Sequence, residues 1–337
     1  MREKLVLGLS GGVDSAVAAR LLMEQYDVTC LWLDIGLGGG EDAAAVARGL
    51  GLPFECADIR AELETQVCAP FAADYLAGRT PLPCARCNPA VKFPALLALA
   101  DRIGAAYVAT GHYARRETGA DGRALLLKGR SANDQSYMLA RLPQAILRRT
   151  VFPLGGLEKA QIRALAGEWG LPVADKPDSM EICFIPDGDY AAWLDRRGNT
   201  PPPGNFVDRE GRVMGRHKGY HHYTLGQRRG LGVSGPHRYF VSAIRPERNE
   251  VVLSDGSDLY TDSARCAGLN WIALPGLEEE RPCTVRLRHS RVETPALIRP
   301  DGGGVAIHTL APARAPTPGQ LAVFYDGDSV LGSGWIV

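Results

Sequence analysis

The sequence predicts an α/β protein: a doubly wound parallel sheet, followed by a small central domain and a C-terminal β-barrel. Three observations support this. Apolar strands alternate with helical segments up to Thr110, as they do in a parallel sheet. A glycine-rich turn joins the first strand to the first helix. Beyond the Pro-Pro-Pro-Gly linker at 201–204, short alternating strands replace helical periodicity, which is typical of a small barrel.

Composition limits the classes of function. The 337 residues suffice for two or three domains, and 38 basic residues balance 38 acidic ones. A polyanionic partner would therefore have to meet a local basic face. No apolar run is long enough to span a membrane, and the first residues do not resemble a signal peptide, so we expect a cytoplasmic protein. Eight cysteines in such a chain favour catalytic, redox or metal roles over disulfides.

The glycine-rich turn is the most informative stretch. It comprises Gly8, Leu9, Ser10, Gly11, Gly12, Val13, Asp14 and Ser15. A strand, a glycine turn and a helix in this order direct backbone N–H groups at an anion. Gly11 and Gly12 allow close approach of a phosphate and a positive φ. A Walker loop and a dinucleotide fingerprint are both excluded by the spacing, whereas an isolated Gly-Gly would indicate only a strand–helix turn.

Polar side chains complete the predicted anion site. Ser10 and Ser15 add hydroxyl donors, and Asp14 is suited to a magnesium ion that accompanies phosphates. Ligands in such sheets bind at the carboxyl ends of the strands, so the loops after Leu7, Leu33 and Thr110 should surround one cleft. There Gly111 would admit a nucleotide and His112 would be exposed, although His112 is equally consistent with a turn residue that binds nothing.

Two cysteines three residues apart, Cys84 and Cys87, lie in a proline-containing stretch that predicts a loop over 81–88. Structural zinc normally needs four ligands, and no second Cys or His pair follows at zinc spacing. A nucleophilic thiol is the better interpretation, because positive charge lowers the pKa of a thiol and Arg86 is adjacent to Cys87 in the sequence. Cys183, between two apolar residues, is by itself more typical of a core position.

Two basic groups follow the linker. From Asp208 to Arg238, histidines and tyrosines (His217, Tyr220, His221, His222 and Tyr223) interleave with Arg209, Arg212, Arg216, Lys218, Arg228, Arg229 and Arg238. Basic residues with aromatics suit a phosphate backbone and splayed bases, and a solvated surface is the alternative. The second group lies on the predicted barrel strands and comprises Arg286, Arg288, His289 and Arg291.

Seven ordered motifs resemble one family. They are Ser-Gly-Gly-Val-Asp-Ser at 10–15, Cys-Asn-x-x-Val-Lys-Phe at 87–93, Ala-Thr-Gly-His-Tyr at 109–113, Asp-Gln-Ser-Tyr at 134–137, Ile-Cys-Phe-Ile at 182–185, Tyr-Thr-Leu-Gly-Gln-Arg-Arg-Gly-Leu-Gly at 223–232 and Thr-Pro-Gly-Gln-x-Ala-Val-Phe-Tyr at 317–325. Across essentially its whole length the chain resembles the bacterial tRNA-specific 2-thiouridylases (MnmA family) of the ATP pyrophosphatase, or PP-loop, superfamily. The resemblance implies an adenine nucleotide α-hydrolase-like first domain.

The resemblance also implies a reaction and a division of the chain. ATP, with Mg²⁺, would adenylate the carbon-2 oxygen of a wobble uridine in tRNA and release pyrophosphate. Sulfur carried as a cysteine persulfide would then displace AMP and give 2-thiouridine. We expect a PP-loop ATP-binding catalytic domain over 1–200, a central tRNA-contacting domain over 201–262 and a β-barrel domain over 263–337.

Site residues follow from the matched motifs. Cys183 would carry the persulfide, which replaces its interpretation as a core residue. Cys87 would be its catalytic partner, assisting attack or resolving the persulfide through a transient disulfide. The ATP site would comprise Gly8 to Ser15, Leu33 and Gly111. The positions implied to contact tRNA are His112, Asn133, Asp134, Gln135, Arg288, His289 and Gln320.

Two positions depart from the family pattern. Many members have Asn-Pro-Asp where this chain has Leu82-Pro83-Cys84, so a carboxylate is replaced by a thiol. We hypothesise that Cys84, Cys87 and Cys183 hold a [4Fe–4S] cluster with one open iron, as in iron–sulfur-dependent tRNA thiolases. In the competing interpretation Cys84 only tunes Cys87. His289 stands where an aromatic residue is frequent, and stacking on RNA is weaker there.

The resemblance implies further partners, and two other classes of function stay open. We expect wobble-uridine tRNAs such as those for Lys, Glu and Gln, a cysteine desulfurase or sulfur-relay protein, no membrane and a monomer. A PP-loop ligase with a nitrogen nucleophile would need no cysteine pair. A non-catalytic tRNA-binding scaffold should have lost Asp14 or a glycine of the turn. Pyrophosphate release that needs both tRNA and a sulfur source separates the three.

Overall fold

The computed structural model describes residues 2–178, 182–235 and 237–337. The helices are α1 Val13–Leu22, α2 Gly40–Leu50, α3 Arg60–Leu63, α4 Ala69–Leu76, α5 Pro83–Cys87, α6 Phe93–Ile103, α7 Ser136–Leu139, α8 Gln144–Leu147, α9 Lys159–Glu168 and α10 Tyr190–Arg197. The strands are β1 Lys4–Gly8, β2 Asp27–Asp34, β3 Phe54–Asp58, β4 Tyr107–Thr110, β5 Ala114–Thr118, β6 Ala124–Lys128, β7 Thr150–Val151, β8 Gly204–Val207, β9 Val213–His217, β10 Phe240–Arg245, β11 Glu250–Ser254, β12 Tyr260–Trp271, β13 Arg281–Arg286, β14 Thr294–Asp301, β15 Gly304–Arg314, β16 Leu321–Asp326 and β17 Ser329–Ile336. Within these ranges, no helix combines the length and apolar character that crossing a membrane requires.

The predicted doubly wound sheet is confirmed. Among the described residues its strands run in the order β3-β2-β1-β4-β7, and every pairing is parallel. Leu5, Val6 and Leu7 of β1 are fully buried, because Val6 packs into one apolar cluster and its neighbours into another on the opposite face. Both faces are therefore covered, as a parallel sheet requires. The chain reverses its direction of travel between β1 and β4, which is the point where such sheets bind ligands.

The predicted loop over 81–88 is wrong, because a helix begins at Pro83. Helix α5 continues through a π-helical turn, Asn88–Lys92, into α6. Proline is tolerated in a first helical turn, where its missing N–H would have no partner. In the wider turn the N–H of Phe93 donates to the carbonyl of Asn88. Cys84 and Cys87 therefore lie one helical turn apart on a rigid element.

The central domain and the barrel also follow the predicted class. In the described part of the chain, a four-stranded sheet has the order β10-β11-β8-β9, and six strands from β12 to β17 close into an antiparallel barrel through a β12–β17 pairing. The hairpin β5–β6 extends the barrel sheet, where Leu127 pairs with Ser329. The domain boundaries stay predictions, and the one placed at 262 falls inside β12.

A buried charge network joins the barrel to the first domain. The Arg286 guanidinium lies 2.6 Å from the Asp134 carboxylate and 2.7 Å from that of Glu293. Lys128 of β6 pairs with Glu293 at 2.6 Å. Arg286 also lies over the Tyr325 ring, 4.8 Å from its centroid. The guanidinium is thus an internal brace, and its predicted place in a basic RNA-facing group is wrong.

We expect Arg286→Met to lower the free energy of unfolding by about 3 kcal/mol, because it leaves the half-buried Asp134 carboxylate without its cationic partner and Glu293 with Lys128 alone. Urea unfolding followed by circular dichroism measures this change. Arg265→Met is the matched control, since Arg265 pairs with Asp301 at the surface and such pairs contribute about 0–1 kcal/mol. Equal losses in the two variants would contradict the assigned brace.

Candidate active site

The turn between β1 and α1 is shaped by its serine hydroxyls. The Ser15 hydroxyl donates to the carbonyl of Gly12 at 3.0 Å and accepts from the N–H of Ser10 at 3.2 Å. The hydroxyl oxygens of Ser10 and Ser15 are 3.1 Å apart. Among the described residues, no side chain caps the start of α1 at Gly12. The first N–H groups of the helix are therefore available to an anion, as the sequence predicts.

Gly11 is required by both conformation and space. Its φ is +75°, and a Cβ there would lie 2.9 Å from the backbone nitrogen of Ala43 and 2.9 Å from the Cβ of Asp42. Gly12 has an ordinary φ of −99°, so the predicted positive φ applies to Gly11. The side chains of Leu9 and Val13 belong to the core. Only the backbones of these two residues can face a ligand.

Gly111 brings the end of β4 against the start of α1. A Cβ at this position would lie 3.1 Å from both the carbonyl carbon of Asp14 and the nitrogen of Ser15. Leu33, near the end of β2, packs against the core on the same edge of the sheet. The structure thus brings the predicted loops together at the carboxyl edge, with the switch point between β1 and β4 at the centre.

Asp14 is held by two side chains that the sequence analysis missed. The Tyr113 hydroxyl donates to its carboxylate at 2.5 Å, and the Lys159 ammonium lies 2.7 and 2.9 Å from its two oxygens. Burial and the Asp14 charge raise the pKa of Tyr113, which keeps it a donor. Lys159 also pairs with Asp178 at 2.7 Å. A magnesium ion on Asp14 would have to share this carboxylate with Lys159.

Lys176 is the second missed cation. Its ammonium donates to the carbonyl of Gly11 at 3.1 Å and pairs with Asp42. Lys159 and Lys176 therefore place two positive charges beside a turn that already presents N–H groups. One feature of the sequence could have indicated Lys159. It is the first residue of α9, where a basic side chain is unfavourable with the helix dipole, so its presence there suggests a role outside the helix.

The prediction that His112 is exposed is wrong. Its ring is half-buried, with the Phe93 and Phe152 rings each 6.4 Å away. Its Nδ1 lies 2.7 Å from the Thr110 hydroxyl. Burial, together with the nearby Lys92 ammonium, holds the pKa of His112 well below its usual range, so the ring is neutral.

The candidate thiols gather around Lys92. Cys84 and Cys183 are exposed and Cys87 is half-buried. Partial burial, followed by the effect of the Cys87 thiol, raises the pKa of Cys183 to about 11 against the opposing effect of Lys92. Burial likewise raises the pKa of Cys87, and Lys92 again opposes it. At rest Cys87 and Cys183 are therefore thiols, and Lys92 is the cation that favours their thiolates.

Arg86 does not supply the charge that the sequence analysis assigned to it. Its guanidinium lies 3.1 Å from the buried Asp74 carboxylate and 4.8 Å from the centroid of the Trp335 ring. Arg79 pairs with the same carboxylate at 2.8 Å. These contacts fix the start of α5 against the barrel. Arg86 is therefore a structural residue, and Lys92, one turn beyond Cys87, takes the electrostatic role.

A further thiol, Cys68, lies in the same neighbourhood. It is buried in an apolar cluster that also contains Phe71 and Phe184, with Cys87 packed against it. Burial, the Glu64 carboxylate and the Cys183 and Cys87 thiols together raise its pKa to about 12. Its sequence context, a helix with no motif, provided no signal. A buried Cys68 is better described as part of the floor below the reactive thiols than as one of them.

The predicted tRNA contacts differ in their availability. Asn133 and His289 are exposed. Asp134 accepts from Ser136 and pairs with Arg286, as described above. The remaining positions also make internal hydrogen bonds: Gln135 accepts from the N–H of Tyr113 at 3.0 Å, Gln320 donates to the carbonyl of Thr80 at 3.0 Å, and Arg288 donates to that of Ala315 at 3.2 Å. These side chains position loops, and their contact with tRNA stays a prediction.

The basic segment over 208–238 is only partly a surface for RNA. Its tyrosines and two of its histidines are buried, namely His217, Tyr220, His221 and Tyr223. Arg209 and Arg212 are engaged by neighbouring carboxylates. The expectation that these rings stack on bases is therefore wrong. Five basic residues of the segment are exposed and form no salt bridge with a described residue: Arg216, Lys218, Arg228, Arg229 and Arg238.

Known proteins match the chain from end to end. Three family models cover it in succession: the tRNA methyl transferase HUP domain over 3–187, the tRNA methyl transferase PRC-barrel domain over 192–255 and the aminomethyltransferase beta-barrel domain over 261–336. The tRNA-specific 2-thiouridylase MnmA of Geotalea uraniireducens is 42% identical, over 99% of this chain and 95% of its own length. The chain belongs to the tRNA-specific 2-thiouridylase (MnmA) family. The MnmA of Heliobacterium modesticaldum is 46% identical, over 100% of this chain and 93% of its own length. The MnmA of Acidithiobacillus ferrooxidans is 43% identical, over 99% of this chain and 98% of its own length.

We expect Gly111→Ala to weaken binding of magnesium–ATP by about tenfold or more, or about 1.4 kcal/mol. The added methyl group would lie 3.1 Å from two backbone atoms of the α1 start, which must then move away from the ligand. Titration calorimetry with a non-hydrolysable ATP analogue measures the change. Gly49→Ala is the matched control, because a Cβ there meets nothing within 4 Å. Unchanged affinity in a folded Gly111→Ala variant would exclude this edge as the ATP site.

Proposed function

We propose that this chain is a tRNA-specific 2-thiouridylase: it consumes ATP, releases AMP and pyrophosphate, and replaces the carbon-2 oxygen of a wobble uridine with sulfur. One observation carries the proposal. Cys87 and Leu33, the latter near the carboxyl end of β2, pack against the same apolar cluster, which also contains Phe184 next to Cys183. His112 follows Gly111, which packs on the anion-binding turn. The thiols and the turn therefore share one neighbourhood.

The turn supplies the activating half of the reaction. A carbonyl oxygen is a poor leaving group, and adenylation converts it to one that departs with AMP. The hydroxyls of Ser10 and Ser15 and the first N–H groups of α1 would bind the phosphates. Lys159 and Lys176 lie where they would stabilise the negative charge of departing pyrophosphate. Mg²⁺ on Asp14 would neutralise further phosphate charge.

The thiols supply the sulfur-transfer half. The terminal sulfur of a Cys183 persulfide would attack carbon 2 and expel AMP, leaving uridine joined to Cys183 through an S–S bond. The Cys87 thiolate would then attack the Cys183 sulfur. The S–S bond between Cys183 and the uridine sulfur then breaks, its electron pair stays on the uridine sulfur, and a Cys87–Cys183 disulfide forms. An external thiol would reduce the disulfide before the next turnover. Lys92 favours both thiolates electrostatically.

An iron–sulfur cluster is the second candidate for the sulfur-bearing group. The observation that favours it is the thiol at Cys84, whose charge acts on the pKa of both Cys87 and Cys183. Cys84, Cys87 and Cys183 would hold three irons and leave one open. A bound cluster would supply that iron as the site for a sulfide ligand. These thiols do not form a mononuclear centre among the described residues, because they are not within 4.8 Å of one another.

The proposal includes specific partners. A cysteine desulfurase or sulfur-relay protein would deliver sulfur to the exposed Cys183 thiol. The substrates would be wobble-uridine tRNAs such as those for Lys, Glu and Gln, and a monomer would act on them. Asn133, His289, Arg228 and Arg229 are exposed side chains that would contact the RNA backbone and loop bases.

We expect 2-thiouridine to form when the protein is incubated with ATP, Mg²⁺, unmodified tRNA, a cysteine desulfurase with cysteine as the source of persulfide sulfur, and a reducing thiol, as measured by nucleoside mass spectrometry. Cys87→Ala and Cys183→Ala should each lose the product, because one removes the resolving thiol and the other the sulfur carrier. Cys56→Ala is the control, since Cys56 is an exposed thiol of β3 outside the Lys92 neighbourhood. Full product in either of the first two variants would refute its assigned role.

Pyrophosphate release distinguishes the other functions in the same reaction. Release that needs no tRNA would indicate a ligase with a nitrogen nucleophile. Absence of any release would indicate a scaffold that binds tRNA without chemistry. Methyl transfer, which the family-model descriptions name, would need neither ATP cleavage nor the thiols. Only 2-thiouridine formation coupled to pyrophosphate release agrees with the proposal.

Anaerobic reconstitution with iron and sulfide tests the cluster. If Cys84 is a ligand, the reconstituted protein should absorb in the visible iron–sulfur charge-transfer region, and Cys84→Ala should lose that absorption. Cys283→Ala, with its half-buried thiol on the barrel, is the control. Without such absorption in the parent protein, the cluster is excluded and Cys84 is a thiol that tunes Cys87.

A further inference from the structure

Two imidazoles and one carboxylate converge where α10 meets the 3₁₀ turn Tyr220–His222 of the central domain. The Nε2 atom of His221 lies 2.9 Å from one oxygen of Asp195, and that of His222 lies 3.5 Å from the other. The two rings are 4.3 Å apart, centroid to centroid. Within the described part of the chain, this is the one group of three His, Cys, Asp or Glu side chains whose potential ligand atoms lie within 4.8 Å of one another.

The spacing matches the coordination shell of a single ion. Ligands about 2.1 Å from a tetrahedral zinc ion are separated by about 3.4 Å, the edge of that tetrahedron. The two observed N–O distances lie on either side of this value. An ordinary ion pair would need one imidazole, whereas here two are directed at one carboxylate. Imidazole and carboxylate together are donors that suit zinc.

The setting combines rigidity with access. The His221 side chain is buried, and a Cβ on Gly219 would lie 2.5 Å from its Cε1, so the turn is tightly packed around the ring. Asp195 is 45% exposed and His222 23% exposed, which leaves a path for an ion and room for water.

We propose that Asp195, His221 and His222 bind one Zn²⁺ ion, with water completing a tetrahedral site. The ion would join α10 to the central sheet. Trp193 of α10 packs on the Phe184 ring, 5.4 Å between centroids, and Phe184 is next to Cys183. Zinc would thereby steady the segment that carries the proposed sulfur carrier, while lying outside the reacting groups. The role is structural and does not depend on the proposed reaction.

The test must separate this site from the thiols, which also bind zinc. The full chain carrying Cys84→Ala, Cys87→Ala and Cys183→Ala is freed of metal with a chelator and titrated with zinc chloride by calorimetry. We expect one zinc per chain, a first shell of nitrogen and oxygen in zinc X-ray absorption, and a higher melting temperature with zinc. In this background, Asp195→Asn or His222→Gln should weaken zinc binding by more than about 100-fold, beyond the effect of losing an outer-shell partner.

Controls keep the outcome decisive. His237→Gln removes an exposed histidine on another loop and should bind zinc as its parent does. Circular dichroism without metal establishes that each variant is folded, and His222 is exposed enough for its replacement to be tolerated. Three results would overturn the proposal: no zinc bound, sulfur in the first shell, or unchanged affinity in His222→Gln. Any of these results would mean that His221 and His222 only hydrogen-bond to Asp195 and do not bind a metal ion.

Discussion

The close approach of β4 to the start of α1 is the constraint on which the rest of the site depends. Gly111 allows the backbones to meet, and Tyr113, two residues later, reaches the Asp14 carboxylate. Gln135 in turn exchanges hydrogen bonds with the backbone of Tyr113. The neighbouring Asp134 is paired with Arg286 of the barrel. The anion-binding turn and the barrel are therefore connected through a short series of polar contacts.

Charge links the two halves of the proposed reaction. Lys159 lies between Asp14 of the turn and Asp178, and pairs with both carboxylates. Any anion that draws Lys159 towards the turn weakens its hold on Asp178. Lys92 acts on the sulfur-transfer half, because its positive charge lowers the pKa of Cys87, Cys183 and His112. In the proposed mechanism, Lys159 would act on the activation half and Lys92 on the sulfur-transfer half.

The helix that carries Cys84 and Cys87 fixes the separation of their two thiols. A loop would let Cys84 and Cys87 adopt many separations, whereas successive turns of one helix hold them on one face. The buried Asp74, paired with Arg79 and Arg86, anchors the start of that helix. The two thiols have different environments on this helix. Cys84 is exposed to solvent, whereas Cys87 packs against the apolar cluster that contains Cys68.

The sequence by itself determined the sheet, the turn at Gly8–Ser15 and the family, because strand–helix alternation and short motifs are local properties. Only the tertiary structure decided which charges act at the site. Arg86 adjoins the thiols in sequence yet pairs with Asp74, while Lys159, far along the chain, binds Asp14. Likewise, burial of His112 and Tyr223 depends on what packs over them, and ion pairing and burial are set by distance in space rather than along the chain.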